Sequence, residues 1–253
     1  MARQFALGDG VEFAENPEPR CACLMLLDTS GSMGTVEGGD YQDLGYSYTQ
    51  DGQTFRAASG GHTRIGELNG GLQVYKSSLT EDPLAVKRVE VSVITFGGHV
   101  ETVCDFTTVD NFVPPVLRAD GDTPMGAAIV AGLDALERRK LSYKANRISY
   151  YRPWVLLLTD GEPTDSWDAA AERIRRLESQ RAMAFFPIGV GSANMELLAQ
   201  LSGTEPKRLS GLKFRELFQW LSRSQLAVSR SRPGGETGSD RVALPKTTGW
   251  EAV

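Results

Sequence analysis

One stretch determines how the rest of the chain is interpreted: Cys21-Ala-Cys-Leu-Met-Leu-Leu-Asp28-Thr-Ser30-Gly-Ser32-Met-Gly34. It starts as an apolar run of seven residues and then changes abruptly to an acid, two serines and glycines. An apolar run of this length, followed by turn residues, predicts a buried strand of a parallel sheet. The polar cluster would then lie at the carboxyl end of that strand, which is the edge where open α/β sheets bind ligands.

The spacing of Asp28, Ser30 and Ser32 favours a cation site. The three residues alternate in a tight loop, so their side-chain oxygens can converge on one point. A carboxylate and two hydroxyls, without sulfur or imidazole, suit a hard cation such as Mg²⁺, Mn²⁺ or Ca²⁺. The alternative is an Asx or Ser turn in which each side chain caps neighbouring N–H groups. These residues alone leave both interpretations open, and two later segments favour the first.

Composition narrows the class of protein. A chain of 253 residues and 27.5 kDa can bury the core of one α/β domain, and its net charge of −5 gives no reason to expect nucleic acid as a partner. Three cysteines without a CxxC pair predict reduced thiols and a cytoplasmic protein. No signal-peptide pattern and no apolar run of membrane-spanning length is visible. With only two histidines, most histidine-based catalysis is disfavoured.

The chain divides into three parts, and the middle one contains an insertion. Residues 1–20 are predicted to be an extended N-terminal arm, with an edge strand as one interpretation. Residues 21–227 form the main domain, and residues 228–253, rich in Ser, Gly and Arg, are predicted to be a flexible tail. Within the domain, residues 34–63 are an insertion, either disordered or a hairpin around Asp51-Gly52.

Apolar periodicity alternates between strands and helices along the domain. Helices are expected at 64–79, from Thr123 to about 140, after Asp165, at 194–201 and at 213–227, and strands at 21–27, 88–96, 99–106, 154–159, 182–190 and 206–210. Thr123 before Pro124 is typical of a helix N-cap followed by the first helical position. The pattern predicts an α/β fold: a doubly wound, mostly parallel sheet with helices on both faces. Gly97-Gly98 indicates one antiparallel edge strand.

Three of the predicted loops carry side chains that could bind a metal ion through oxygen. They are Asp28, Ser30 and Ser32 in the first loop, Thr123 in the second, and Asp160 in the third. Because parallel strands present all their carboxyl ends on one side of a sheet, these five residues should converge.

At these five positions the sequence resembles the metal-ion-dependent adhesion site of the von Willebrand factor A domain. The phrases Gly-Asp-Thr-Pro-Met-Gly and Leu-Thr-Asp-Gly-Glu-Pro-Thr-Asp are similar to the bacterial branch of that family. Tyr150-Tyr-Arg-Pro-Trp, Phe185-Phe-Pro-Ile-Gly and the segment 212–222 are similar to TerY-type proteins, named for bacterial tellurite-resistance operons. The resemblance covers roughly residues 15–230, and the long insertion at 34–63 departs from it.

The resemblance implies how the site would work. Ser30, Ser32 and Thr123 would bind the metal directly, and Asp28 and Asp160 mainly through water. Neutral hydroxyls do not neutralise a bound cation, so an acidic group from outside can bind it as the sixth ligand of an octahedral coordination shell. Rim contributions are expected from Glu162, Thr164 and Asp165, although these residues could equally form a turn that caps the next helix.

The implied function is a metal-dependent protein–protein interaction module in a tellurite-resistance or stress-response system, and not an enzyme. Mg²⁺ is the expected cofactor, with Mn²⁺ or Ca²⁺ as alternatives. The expected partner supplies a carboxylate or phosphate and would be a kinase or phosphatase from the same operon, with neither nucleic acid nor membrane involved.

Two other functions compete with binding. A metal-dependent hydrolase or phosphatase-like enzyme could use the cation to activate water. However, Ser30 replaces both the second Asp of a haloacid-dehalogenase motif and the first glycine of a Gly-x-Ser-x-Gly elbow. A structural scaffold with an empty site is the third possibility.

Overall fold

The structure, a computed structural model, describes residues 12–50, 53–233, 244–247 and 249–252. Its strands are β1 (Cys21–Asp28), β2 (Tyr41–Gln50), β3 (Gln53–Gly60), β4 (Val89–Gly97), β5 (His99–Thr108), β6 (Trp154–Thr159), β7 (Ala184–Gly189) and β8 (Lys207–Arg208). Its helices are α1 (Arg64–Thr80), α2 (Pro83–Arg88), α3 (Met125–Ala145), α4 (Asp168–Ser179), α5 (Met195–Leu201) and α6 (Phe214–Ser229). Among the helices of the described ranges, none is both long and apolar enough to cross a bilayer.

The main sheet has six strands in the order β5-β4-β1-β6-β7-β8. Every neighbouring pair is parallel except β4 and β5, which form an antiparallel hairpin at one edge. This confirms the predicted mostly parallel α/β sheet with an antiparallel edge strand. The first apolar run lies at its centre, where β1 is hydrogen-bonded on both sides and all eight of its residues are buried.

The central strand β1 contributes side chains to two hydrophobic cores, one on each face of the sheet. Side chains of β1 alternate between them, because successive residues of a strand point to opposite faces. Cys21, Cys23, Met25 and Leu27 join the core under α1, α2 and α6, while Ala22, Leu24 and Leu26 join the core under α3, α4 and α5. The three cysteines are free, as the sequence predicts, and burial raises the pKa of the Cys23 thiol to about 12.

The amino-terminal ends of the strands are held by a buried charge network. Glu90 accepts hydrogen bonds from Arg20 at 2.7 Å, from Arg139 at 2.7 and 2.9 Å, and from Tyr143. Phe13 lies beneath both arginine guanidinium groups, and residues 12–15 are helical. The predicted edge strand is therefore wrong for residues 12–15, because Phe13 packs into this network instead of pairing with a strand. Residues 1–11 lie outside the described part of the chain.

The insertion forms a separate antiparallel ribbon of β2 and β3, and Asp51-Gly52 lie outside the described residues. Its stem is fixed next to the start of α1. Val36 pairs with Thr63, and the Glu37 N–H donates to the His62 carbonyl at 2.7 Å. The stem thus places Glu37 beside the first turn of α1.

Residues 244–247 and 249–252 dock on the edge strand β8 and α6, which differs from the flexible tail predicted from composition; residues 234–243, 248 and 253 lie outside the described part of the chain. Trp250 is buried against Trp220, with ring centroids 5.4 Å apart. Glu251 pairs with Leu209 as an isolated bridge, and the Ala252 N–H donates to the Arg208 carbonyl at 2.8 Å. Lys207 pairs with Glu251 at 2.9 Å and Trp220 Nε1 donates to the Pro245 carbonyl at 2.8 Å, so aromatic packing, backbone pairing and side-chain bonds together hold these residues.

Candidate metal centre

The first loop of the site begins where β1 leaves the sheet. Asp28 is fully buried; one carboxylate oxygen accepts the Ser30 N–H at 2.8 Å, and the other accepts the Thr159 hydroxyl at 2.5 Å. The Asx-type turn that the sequence left as an alternative is therefore present. It also brings the serine hydroxyls toward the end of β6, since β1 and β6 are neighbours in register.

The two serines and the second acid form a continuous row. Ser30 Oγ lies 3.1 Å from Ser32 Oγ, and Ser32 Oγ donates to Asp160 Oδ1 at 2.6 Å. Ser30 and Asp160 are buried, while Ser32 is exposed. The row therefore has one open side, through which an ion and a ligand could reach it.

Thr123 joins this row across the gap above Gly161. A Cβ placed on Gly161 would lie 3.4 Å from Thr123 Oγ1, 3.8 Å from Ser32 Oγ and 3.9 Å from Asp28 Oδ2. Oxygens from the first and second loops thus surround one point beside Gly161 of the third loop. Together with the contacts of Ser30 and Asp160, this brings all five residues singled out in the sequence into one site.

Close backbone packing holds the Thr123 loop in place. The Gly31 N–H donates to the Gly121 carbonyl at 3.0 Å, and the Gly98 N–H donates to the Asp122 carbonyl at 2.9 Å. Gly121 has φ +70°, and a Cβ there would lie 2.4 Å from the Gly98 Cα. Only glycine fits at this crossing, which fixes Thr123 beside the first loop.

The predicted N-cap role of Thr123 is wrong. The helix begins at Met125, with Pro124 in the capping position and no side-chain cap from its own loop. Asp165 instead accepts the N–H groups of Gly126 at 2.9 Å and Ala127 at 2.7 Å. A carboxylate from a distant loop therefore satisfies the helix start, and it leaves the Thr123 hydroxyl free to face the site.

The predicted rim residues have different surroundings. Asp165 caps α3 and not the helix that follows it in sequence. Glu162 is exposed and accepts a hydrogen bond from Asn194 at 3.0 Å. Thr164 is also exposed, and its N–H donates to the Thr123 carbonyl at 2.9 Å. Glu162 and Thr164 therefore have side chains open to a ligand, whereas the Asp165 carboxylate is engaged.

Comparison with known proteins agrees with this architecture. A family model described as the von Willebrand factor type A domain matches residues 77–216, more than half of the chain. The chain belongs to the von Willebrand factor type A (VWA) domain family. The match begins after Asp28, Ser30 and Ser32, so the assignment of these three residues rests on the sequence motif and on the contacts above.

Individual relatives are distant or partial. The human collagen alpha-6(VI) chain is 35% identical over 98 residues, which is 38% of this chain and 4% of the collagen chain. The D319A mutant of the PilB minor pilin from Streptococcus sanguinis has a TM-score of 0.52 at 13% identity, covering 84% of this chain and 63% of the pilin. The manganese-loaded TRAP protein of Plasmodium vivax has a TM-score of 0.47 at 18% identity, covering 78% and 70%. The chain thus spans less than two thirds of the collagen chain and the pilin, and the pilin similarity supports the fold alone.

Two residues of the candidate metal centre, Arg64 and Thr159, were missed in the sequence. Arg64, the first residue of α1, donates to Asp160 Oδ2 at 2.5 Å and also pairs with Glu37. Thr159 holds Asp28, as described above. The available signal was position: Arg64 follows the N-cap Thr63, and Thr159 ends β6, so both had to lie near the same sheet edge.

Burial raises the pKa of Asp28, the first acid of the candidate metal centre. Desolvation raises the pKa of Asp28 to about 6, with a smaller contribution from the charge of Asp160, although hydrogen bonds from Ser30 and Thr159 oppose the shift. A buried carboxylate without a cationic partner of its own is costly in its charged form. A cation at the site would remove that cost.

The donor set fits a hard divalent cation. In the part of the chain that the structure describes, no cluster of three or more His, Cys, Asp and Glu side chains is placed to hold a metal ion. A cation at this edge would therefore depend on hydroxyl oxygens beside the two acids. Ser30, Ser32 and Thr123 supply such oxygens, and those of Ser32 and Thr123 line the space next to Gly161, which has no side chain to fill it.

Proposed function

We propose that this VWA domain is a metal-dependent interaction module whose site binds an acidic group of a partner protein. The observation that carries the proposal is that side-chain oxygens of Asp28, Ser32 and Thr123 converge on the space next to Gly161. Ser30 and Asp160 extend that set through the hydrogen-bonded row. Five oxygen-bearing side chains from three loops are more than a strand-ending turn requires.

Charge explains why the partner should be acidic. The three hydroxyls are neutral, and Asp160 shares its charge with Arg64. A divalent cation held there would keep part of its charge for an outside carboxylate or phosphate. We propose Mg²⁺ as the ion, with Mn²⁺ or Ca²⁺ as alternatives, because all three prefer oxygen ligands.

We place the protein, as a narrower proposal, among the TerY-type proteins of tellurite-resistance or stress-response systems. Its partner would be a kinase or phosphatase of the same operon in the cytoplasm. The support for this context is sequence resemblance in the motifs quoted above, and free buried thiols are compatible with a reducing compartment. The human collagen match adds support only for the broader role in protein interaction.

Calorimetry on the chelator-stripped protein tests the metal site. Mg²⁺, Mn²⁺ and Ca²⁺ are titrated into the wild type, Ser32→Ala, and a matched serine control, Ser166→Ala. Ser166 is exposed in the loop before α4, and its hydroxyl donates to Asp168 at 3.4 Å. We expect binding in the wild type and the control, and at least tenfold weaker binding in Ser32→Ala. Equal affinity in all three proteins would overturn the proposed site.

A second assay separates binding from catalysis. The metal-loaded protein is incubated with a generic phosphoester, and release of phosphate is followed over hours. The interaction proposal predicts no metal-dependent turnover above that of Ser32→Ala. Turnover that needs both the metal and Ser32 would instead favour the hydrolase alternative.

A further inference from the structure

Arg64 is a buried cation placed directly against the candidate metal centre. Its Nη1 donates to Asp160 Oδ2 at 2.5 Å, and the other oxygen of that carboxylate accepts from Ser32 at 2.6 Å. One carboxylate group therefore separates the guanidinium from the row of hydroxyls. The side chain of Arg64 is 9% exposed, so its charge is poorly screened by solvent.

The remaining face of the guanidinium is occupied by a displaceable acid. Glu37 Oε1 accepts from Arg64 Nε at 2.8 Å and also from Nη2. Both bonds end on one oxygen, although a guanidinium fork can hold two oxygens side by side. The Glu37 side chain is 30% exposed, whereas that of Asp160 is fully buried. Glu37 is therefore the member of the group that can leave for water at low cost.

The charges of the site favour such an exchange once a cation is present. Three carboxylates, those of Asp28, Asp160 and Glu37, lie at this end of the strands with one guanidinium, which pairs with the last two, so negative charges exceed positive ones by two. A divalent cation neutralises that surplus. If Glu37 turns to solvent, the buried part of the site carries one positive charge and can take one anionic group.

We propose that Arg64 is a second anchor for the anionic ligand of this site and that Glu37 masks it in the free protein. One oxygen of the ligand's carboxylate or phosphate would reach the metal position, and another would replace Glu37 on the guanidinium. This inference rests on the proposed function, because it names a specificity-determining residue of the same site. The ligand class is an oxyanion with two free oxygens, from an acidic side chain or a phosphoester.

The test uses the full chain loaded with Mn²⁺ and titrated with acetate or inorganic phosphate. Water-proton relaxation reports loss of Mn²⁺-bound water when an anion binds. The variants are Glu37→Gln and a matched control, Glu67→Gln. Glu67 lies on the first turn of α1 and contacts His62 at 2.7 Å, so its loss removes the same charge near the site without freeing Arg64.

We expect Glu37→Gln to bind acetate, phosphate or both at least fivefold more tightly than the wild type, and Glu67→Gln to change less than twofold. The acetate and phosphate arms distinguish an acidic side chain from a phosphoester as the natural source. Equal gains in both variants would mean a long-range charge effect and would overturn the assignment of Arg64. No gain in either variant would overturn it as well.

Arg64→Gln and the double variant Arg64→Gln/Glu37→Gln complete a double-mutant cycle, which measures whether the effects of the two substitutions on anion affinity depend on each other. The gain from Glu37→Gln should disappear when residue 64 is Gln, and a gain that persists would refute the proposal. If Arg64→Gln does not bind Mn²⁺, Arg64→Lys takes its place, with the gain expected to fall below twofold because an ammonium lacks the fork. Failure of the wild type to bind Mn²⁺ would refute the proposed function itself, whereas bound Mn²⁺ with equal anion affinities would refute only the role of Arg64.

Discussion

Replacing Asp28 by asparagine should stabilise the metal-free protein while abolishing its response to metal. Asp28 is fully buried and has no cationic partner of its own among the described residues, and burial raises its pKa from the usual 3.8 to about 6. That difference corresponds to roughly 3 kcal/mol of unfavourable free energy at pH values well above 6. A neutral asparagine side chain would avoid this cost.

The hydrogen bonds of Asp28 reduce the expected gain. The carbonyl of the substituted asparagine can still accept the Ser30 N–H, and its amide can donate to the Thr159 hydroxyl, which then loses its own acceptor. Exchanging charge-assisted hydrogen bonds for neutral ones costs about 1 kcal/mol. We therefore expect Asp28→Asn to raise the free energy of unfolding by about 2 kcal/mol at pH 8.

Urea unfolding at pH 8 in EDTA measures this gain, and the pH dependence checks its cause. Between the unfolded and folded pKa values of Asp28, the folded state binds more protons than the unfolded state. The stability of the wild type should therefore rise as the pH falls from about 6 towards 4, and its difference from Asp28→Asn should disappear. Added Mg²⁺ should stabilise the wild type and leave the variant unchanged.

Asp160→Asn is the matched control, since it makes the same substitution at the acid that is paired with Arg64. Removing that charge leaves a buried guanidinium with only Glu37, so this variant should not gain stability. If Asp28→Asn is less stable than the wild type at pH 8 in EDTA, the description of Asp28 as an uncompensated buried charge is wrong. Equal stabilisation of the wild type and Asp28→Asn by Mg²⁺ would contradict the metal site.

Two further substitutions test the two ends of the sheet. Gly161→Ala puts a methyl group 3.4 Å from Thr123 Oγ1, so calorimetry should show at least tenfold weaker metal binding while urea unfolding in EDTA changes by about 1 kcal/mol or less. Glu90→Gln leaves Arg20 and Arg139 without their shared buried acid, so the free energy of unfolding should fall by about 3–5 kcal/mol. If Glu90→Gln still folds, its metal affinity should match that of the wild type, because Glu90 lies at the amino-terminal ends of the strands and the candidate metal centre lies at their carboxyl ends. A weaker metal affinity would contradict the independence of these two sites.

Much of the fold was predictable because its signals are local. The apolar run of β1 and the polar residues directly after it set the central strand and one part of the site. The same pattern of strand followed by acid occurs at Asp160. Once parallel strands are assumed, their carboxyl ends must lie together, which brings the loop after β1 next to Asp160. The same rule does not place Thr123, because the strand before it, β5, is antiparallel and ends beside Glu90, so residues 109–122 must first return to the site.

The errors come from partners that are distant in sequence. Thr123-Pro124 satisfies the local pattern of a helix start, yet the capping acid is Asp165, 39 residues after Gly126. Arg64 pairs with Glu37 and Asp160, which lie 27 and 96 residues away. Phe13 became part of the core by stacking on Arg20 and Arg139, so its polar surroundings in sequence suggested an arm instead.

The two ends of the sheet differ in charge balance, and this difference supports the proposal that the binding site lies at the carboxyl ends of the strands. At the amino-terminal end, two arginines face the buried acid Glu90 and the partly exposed acid Glu12, so the charges balance without any ligand. At the carboxyl end, Arg64 pairs with Glu37 and Asp160, and Asp28 adds a third carboxylate without a cation of its own among the described residues. A buried surplus of negative charge lowers stability unless a cation is bound, whereas a balanced network does not require one. Our proposals account for this difference, because a cation would offset the negative charge at the carboxyl end and an outside acid would then bind between the cation and Arg64.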